Sequence, residues 1–177
     1  MKLTFNPKEI IPAFDRFLGN RGIVFSAIAV GGAALAILDI VIRGTRDLDL
    51  LEPEIPPAVA KAAKEFAQLH GLSEDWLNCG PGSLARELPP DWKSTVVPLF
   101  NGKNLRLSTL SRINLIRAKL WAMCDRMRDL EDLVALAPTD DEINLAAVWV
   151  KPLDGNPGWP AHVDLTIQIL RRSLGRG

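Results

Sequence analysis

Asp47 and Asp49 stand two positions apart, and Gly31-Gly32 lies one short apolar stretch upstream of them. If Arg46 to Leu51 is a strand, both carboxylates project from one face while Leu48 and Leu50 project from the other. Neighbouring carboxylates repel each other unless a cation sits between them. Mg²⁺ is held in this way, through one or two carboxylates together with substrate phosphates. The glycine pair falls where a buried strand gives way to a helix. There the backbone can approach a ligand with no Cβ in the way, and the free amides of a helix start attract phosphate. Taken singly, each feature has a plainer use: two glycines also allow close packing of strand on helix, and an isolated Asp-x-Asp is usually the solvated face of an edge strand. Together, and in this order, they point to nucleotide chemistry with a triphosphate seat beside an acidic pair.

The elements that would position these residues follow from the pattern around them. Gly22 to Ile42 is almost entirely apolar and long enough to be weighed as a membrane span. However, β-branched and aromatic residues (Ile23, Val24, Phe25, Ile28, Val30) precede the glycines, helix formers (Ala33 to Ala36, Leu38) follow them, and Asp39 lies near the end. That order predicts a buried strand, a tight turn and a buried helix rather than a membrane segment. Upstream, Ile10, Ile11, Phe14 and Leu18 form a helical stripe over Pro7 to Leu18. Downstream, Ala58 to Leu69 reads as a helix closed by Gly71, and Ser73 to Asp91 reads as irregular. Two strand-like runs, Lys93 to Phe100 and Lys103 to Ser108, flank Asn101-Gly102 and predict a hairpin. Helices are then expected over 110–123, 128–136, 140–150 and 160–174, with Asp140 to Glu142 supplying a helix start and Pro160 a first helical position. The predicted organisation is α+β: a small mixed sheet flanked by helices over 1–108, then a helical region over 109–177 packed on that core as one compact unit.

Composition narrows the partners. An apolar fraction of 47% in 177 residues supports a proper core, and 21 basic against 21 acidic residues leave no overall charge with which to attract a polyanion. Any polyanionic partner must therefore be bound locally. Cys79 and Cys124 lack a Cys-x-x-Cys frame, and His70 and His162 have no neighbours at metal-ligand spacing, so zinc and a disulfide framework are not indicated. Both cysteines are expected to be reduced and buried. Acidic and polar residues such as Glu9 and Asp15 interrupt the first twenty positions, so no cleavable signal is evident and a soluble, cytoplasmic protein is expected.

Gly31-Gly32-Ala33-Ala34-Leu35 and Arg43-x-Thr45-x-Asp47-x-Asp49 resemble the signature of the polymerase-β-type nucleotidyltransferase superfamily. More narrowly they resemble its AbiEii-like branch, which includes toxins of type IV toxin-antitoxin systems and many uncharacterised bacterial nucleotidyltransferases. The likeness continues through Leu115-x-x-x-Lys119-Leu120-x-Ala122-x-x-x-Arg126-x-x-Asp129-Leu130-x-Asp132-Leu133 and reaches Asn156-Pro157-x-Trp159-Pro160-x-His162-Val163.

The resemblance implies the nucleotidyltransferase fold, NTP as substrate, Mg²⁺ as cofactor on Asp47 and Asp49, and transfer of a nucleoside monophosphate to an acceptor hydroxyl on RNA or protein. It also implies a cognate antitoxin as partner if the role is that of a toxin. Gly31, Gly32, Arg43, Thr45 and Arg46 fall on the nucleotide-binding segments. Two positions depart from the superfamily's usual pattern: Gly32 stands where many members have serine, and 93–108, where many carry a third carboxylate, has no Asp or Glu. Along an unbroken helix, at about 100° per residue, Lys119, Arg126 and Asp129 share one sector and Asp132 points elsewhere. Lys119 and Arg126 could then grip phosphates, with Asp129 as the missing acid or as the partner of Arg126. The simpler alternative for these three is a solvated face with local ion pairs. For the whole protein, the alternative from another class is a nucleotidyltransferase-fold module that binds or regulates without catalysis. The five tryptophans read as packing residues, and Arg171, Arg172 and Arg176 suit the end of the last helix.

Overall fold

The computed structural model describes residues 4–176, in two compact units, Met1–Leu110 and Ser111–Gly177. In the first unit α1 (Pro7–Gly19) is started by Asn6, whose side chain accepts from the Lys8 N–H, with Pro7 at a position where no amide is needed. The apolar run then divides into β1 (Phe25–Val30) and α2 (Gly31–Ile37), with no loop between them. Among the described residues no helix is long and apolar enough to cross a membrane.

The acidic segment begins β2 one position later than Asp47: the strand runs Leu48–Glu52, not from Arg46, so Asp47 sits immediately before it. α3 (Pro57–His70) ends at Gly71, whose φ of +64° is the left-handed cap foreseen for it. The stretch read as irregular contains a two-residue strand, β3 (Leu77–Asn78), and a short helix, α4 (Leu84–Glu87). β4 (Val97–Asn101) and β5 (Leu105–Thr109) form the hairpin, but Asn101 stays in the ladder opposite Arg106 and the chain reverses through 102–104.

The five strands pair in the order β3-β2-β1-β5-β4, with β1 antiparallel to β2 and parallel to β5, and β2 parallel to β3. Alternation decides the two faces. Ala27 and Ala29 of β1, Leu48 and Leu50 of β2, and Leu105 and Leu107 of β5 are buried in one core with Phe14 of α1 and Phe66 of α3. Trp76 lies in the same cluster, edge-on to Phe14 at 5.1 Å, with its indole N–H donated to the Ala63 carbonyl at 3.0 Å. Burying the ring therefore leaves no polar atom unsatisfied. The opposite face carries Asp49, Ile28 and Ser108, all half-buried.

Asp15, on α1, organises the reversal between β4 and β5. Its carboxylate accepts from the N–H groups of Asn104 (2.7 Å) and Leu105 (2.6 Å), and a Cβ on Gly102 would collide with it. Burial opposes ionisation of Asp15, but bonds from the Leu105, Asn104 and Lys103 amides outweigh it and hold the carboxyl below its ordinary range.

The second unit is helical: α5 (Arg112–Arg126), α6 (Leu130–Leu136), α7 (Asp140–Val150) and α8 (Trp159–Ser173). α5 packs against each of the other three, burying Leu115, Ile116, Leu120 and Met123 of α5, Leu133 of α6, Ile143 and Ala146 of α7, and Val163 and Ile167 of α8. α7 opens on a capping box, Thr139 to the Glu142 N–H and Glu142 back to the Thr139 N–H. Both cysteines are free, but only Cys124 is fully buried, and burial raises its thiol to about 11; Cys79 is half-buried.

Candidate active site

Gly31 is the residue on which the site is built. Its φ is +76°, a left-handed conformation open to glycine at little cost, and a Cβ there would lie 2.6 Å from the Asp49 Oδ2 atom. The cause is sheet register. Val30, the residue before the bend, is paired with Asp49 across the β1–β2 ladder, so the chain turns into α2 directly beside that carboxylate. Gly32 is the next contact: a Cβ added to it would sit 3.6 Å from the Thr45 hydroxyl oxygen and 3.9 Å from an Arg43 guanidinium nitrogen. Gly31, Gly32, Arg43, Thr45 and Asp49 are thus brought together.

Thr45 fixes the approach to the acidic pair. Its hydroxyl donates to the Asp47 carbonyl at 3.1 Å, and its backbone pairs with Phe5, the two N–H groups donating to opposite carbonyls at 2.7 and 3.0 Å. Asp47 is half-buried between this anchored residue and Leu48, whose N–H donates to the Trp76 carbonyl at 2.5 Å. Arg46 is exposed. Among the described residues no cluster of three or more His, Cys, Asp or Glu is arranged to hold a metal ion. At the glycine bend itself the carboxylate is that of Asp49, with Asp47 two positions before it in the chain, just ahead of β2. The chemistry of the donors, carboxylate oxygens beside a glycine main chain, suits Mg²⁺, which binds through one or two carboxylates and completes its shell with water and phosphate oxygens.

Two neighbours of Asp49 were not visible in the sequence. A bulge in the β1–β2 ladder pairs Ile28 with Glu52 while Val30 pairs with Asp49, so Glu52, three positions on, shares the Asp49 face. Glu52 is already engaged by Lys93, Nζ to Oε2 2.6 Å. On the other side of β2, Asn78 is the register partner of Asp49.

In the second unit the two separate helices expected over 110–123 and 128–136 are present, so the condition of one unbroken helix, on which Lys119, Arg126 and Asp129 would share a sector, is not met. α5 ends at Arg126, Met127 adopts a left-handed φ of +53°, and α6 starts at Leu130. The corner changes which residues meet, and Asp132 does not point elsewhere. Lys119 Nζ lies 2.6 Å from Asp129 Oδ1 and 2.6 Å from Asp132 Oδ2, all three side chains being largely shielded from water. Arg126, more exposed, reaches Asp129 at 3.6 Å. Lys119 is thus clamped by two carboxylates, and Arg126 lies between Asp129 and Asp125, the latter at 4.0 Å. His162 is likewise accounted for, Nε2 against the Cys124 carbonyl at 2.8 Å.

A five-stranded mixed sheet with helices, a glycine bend at the end of one strand and an acidic residue paired beside it on the next, is a small nucleotidyltransferase-like α+β fold. The chain belongs to the family described as nucleotidyltransferase of unknown function (DUF6036), whose model matches residues 12–145. That span includes the glycine bend, the acidic pair and the Lys119 cluster. Neither the curated proteins nor the solved structures contain a match to the chain.

Proposed function

We propose that the protein binds an NTP with Mg²⁺ at the Gly31–Asp49 bend and transfers a nucleoside monophosphate to an acceptor hydroxyl, on an RNA end or a protein side chain. The observation that carries this is the contact of a Cβ-less, left-handed Gly31 with the Asp49 carboxylate. It sets main chain and carboxylate side by side, the two kinds of group that a polyphosphate and its cation would use. Asp47 and Asp49 would hold the cation, and the Gly31 and Gly32 backbone would line the triphosphate. Arg43 and Arg46 would offset its charge, and Thr45 would keep Asp47 in place. Bound Mg²⁺ would supply orientation of the triphosphate and neutralisation of charge on the leaving pyrophosphate. Lys119, Arg126 and Asp129 remain candidates for handling phosphate charge, and Lys119 would have to exchange a carboxylate for a phosphate to do so.

Incubation of the protein with radiolabelled NTPs, Mg²⁺ and a cell extract tests the proposal. Transfer of label by the wild type, and its loss in Asp47→Ala and Asp49→Ala, is the expected result; equal transfer by either variant overturns it. The AbiEii-like resemblance extends the proposal to a toxin, which requires growth arrest on expression and relief by an adjacent antitoxin gene.

A second reading, a nucleotidyltransferase-fold module without catalysis, is favoured by Gly32 in the serine position and by Lys119 being held by Asp129 and Asp132. Calorimetry separates the two. Mg²⁺-dependent NTP binding abolished in Asp49→Ala supports the enzyme, and absence of binding supports the module.

A further inference from the structure

We infer that a cavity at the end of β2 receives the acceptor, and that this acceptor is a side-chain hydroxyl of a protein and not an RNA end, an inference that rests on the nucleotide reading above. The attacking and leaving oxygens of a phosphoryl centre stand roughly in line, so an acceptor enters from the side opposite the pyrophosphate. Sheet register says which side that is. Asp49 is paired on one side with Val30 of β1, which leads into the glycine bend, and on the other with Asn78 of β3. With the triphosphate at the bend, the hydroxyl must come from the side of β3. A cavity of about 520 Å³ lies there, lined by Leu51, Glu52 and Glu54 at the end of β2, Cys79 directly after β3, and Gly82 and Arg86 beyond it. Glu52 shares the Asp49 face. Another cavity, bordered by Lys8, Asp39 and Arg43, is on the opposite side: a guanidinium nitrogen of Arg43 would lie 3.9 Å from a Cβ on Gly32, so that cavity adjoins the triphosphate.

Charge in the lining decides the class of acceptor. Nucleic acid is gripped by a surplus of Lys and Arg set against its phosphates. This cavity has no such surplus. Glu52 is matched by Lys93 at 2.6 Å, and Glu54 offsets Arg86, the one cation among the described lining residues. The Cys79 thiol donates to the Pro53 carbonyl at 3.6 Å, and burial pushes its pKa up, so it adds no charge. Leu51 and Pro53 supply apolar wall. A lining neutral overall, in a space of ordinary ligand-pocket size, suits one uncharged side chain and not a run of phosphates. There the acceptor oxygen would bond to the α-phosphorus as the bond from that phosphorus to its β-bridging oxygen breaks. Pyrophosphate would leave on the glycine side and the hydroxyl proton would pass to solvent.

Two experiments on the whole chain test this. After incubation with Mg²⁺, a cell extract and NTPs radiolabelled on the α-phosphate, the products are divided between ribonuclease and protease. Label on a protein other than the enzyme, resistant to ribonuclease and lost to protease, is the expected result. Label on RNA, on the enzyme alone, or on no macromolecule while the wild type still binds NTP in calorimetry, overturns the inference and leaves the nucleotide site standing. Absence of NTP binding by the wild type overturns both. Gly82→Trp tests the place. A Cβ on Gly82 would meet no atom within 4 Å and its φ is outside the left-handed region, so an indole there can occupy the cavity. Transfer should fall about 100-fold, as for a displaced reactant, while NTP affinity and melting temperature stay at the wild-type values. Gly82→Ala should transfer as the wild type does. Wild-type transfer by a folded Gly82→Trp, or loss of its NTP binding together with transfer, overturns the inference. The digests use no substitution, so they decide the acceptor class even if Gly82→Trp does not fold.

Discussion

Gly31 and Gly32 are adjacent and chemically identical, yet the structure asks different things of them. Gly31 has φ +76° and no room for a Cβ before Asp49, so Gly31→Ala should cost about 1–3 kcal/mol, the price of a left-handed non-glycine residue, and push the carboxylate aside. Urea unfolding measures the first effect and NTP calorimetry the second. At Gly32 the nearest atom to a new Cβ is the Thr45 hydroxyl at an ordinary 3.6 Å, and φ is not in the left-handed region. Gly32→Ser should therefore leave stability within about 0.5 kcal/mol of wild type. By restoring a hydroxyl beside the triphosphate seat, it should also tighten NTP binding. If both variants unfold alike, the distinction drawn between the two glycines is wrong.

The corner between α5 and α6 shows what one element does to the residues on the next. Lys119 is one of few charged side chains that are buried, and it is clamped by Asp129 and Asp132. Lys119→Met would leave two shielded carboxylates without their cation. A loss of about 3–5 kcal/mol is expected from breaking such a group on one side. Full stability with loss of nucleotide transfer would instead make Lys119 a phosphate ligand. Where an element is bounded by side-chain chemistry it was legible in the sequence: α7 runs Asp140–Val150 as predicted because Thr139 and Glu142 cap it, and Gly71 closes α3. Removing that cap, Thr139→Ala, should cost about 0.5–2 kcal/mol. A break between 123 and 128 was expected, but the left-handed corner at Met127 has no such mark, since Arg126, Met127 and Arg128 are ordinary helix formers, and so the meeting of Lys119 with Asp132 could not be read ahead. β3 is two residues long, too short for any periodicity, and its partner Asp49 is distant in sequence; Asn78 was invisible for that reason. The nearness of Gly31 to Asp49 was legible because a strand, a bend and a returning strand leave few ways to pair.

At the scale of the whole chain, acid should be felt in both units through one carboxylate in each. Asp15 is held below the ordinary carboxylate range because backbone amides outweigh its burial. Glu142 is held low first by its hydrogen bonds with Arg112, with the amide and hydroxyl of Thr139 adding to them against burial. A carboxyl with a depressed folded pKa stabilises the fold above its unfolded value, about 3.9 for Asp and 4.3 for Glu. That stabilisation is lost as pH falls through the folded value. Melting temperature should thus be flat near neutrality and fall below about pH 4. Asp15→Asn and Glu142→Gln should each melt lower at pH 7 and show a shallower acid loss. An unchanged slope in both would remove these two groups as the cause.

The two hydrogen bonds between Phe5 and Thr45 have a practical corollary. They moor the segment that leads into Asp47 to the residue just ahead of the α1 cap. Thr45→Pro, which lacks the N–H donated to Phe5, should slacken that mooring and weaken nucleotide affinity while both carboxylates stay in the chain; affinity equal to the wild type would show that the mooring is dispensable.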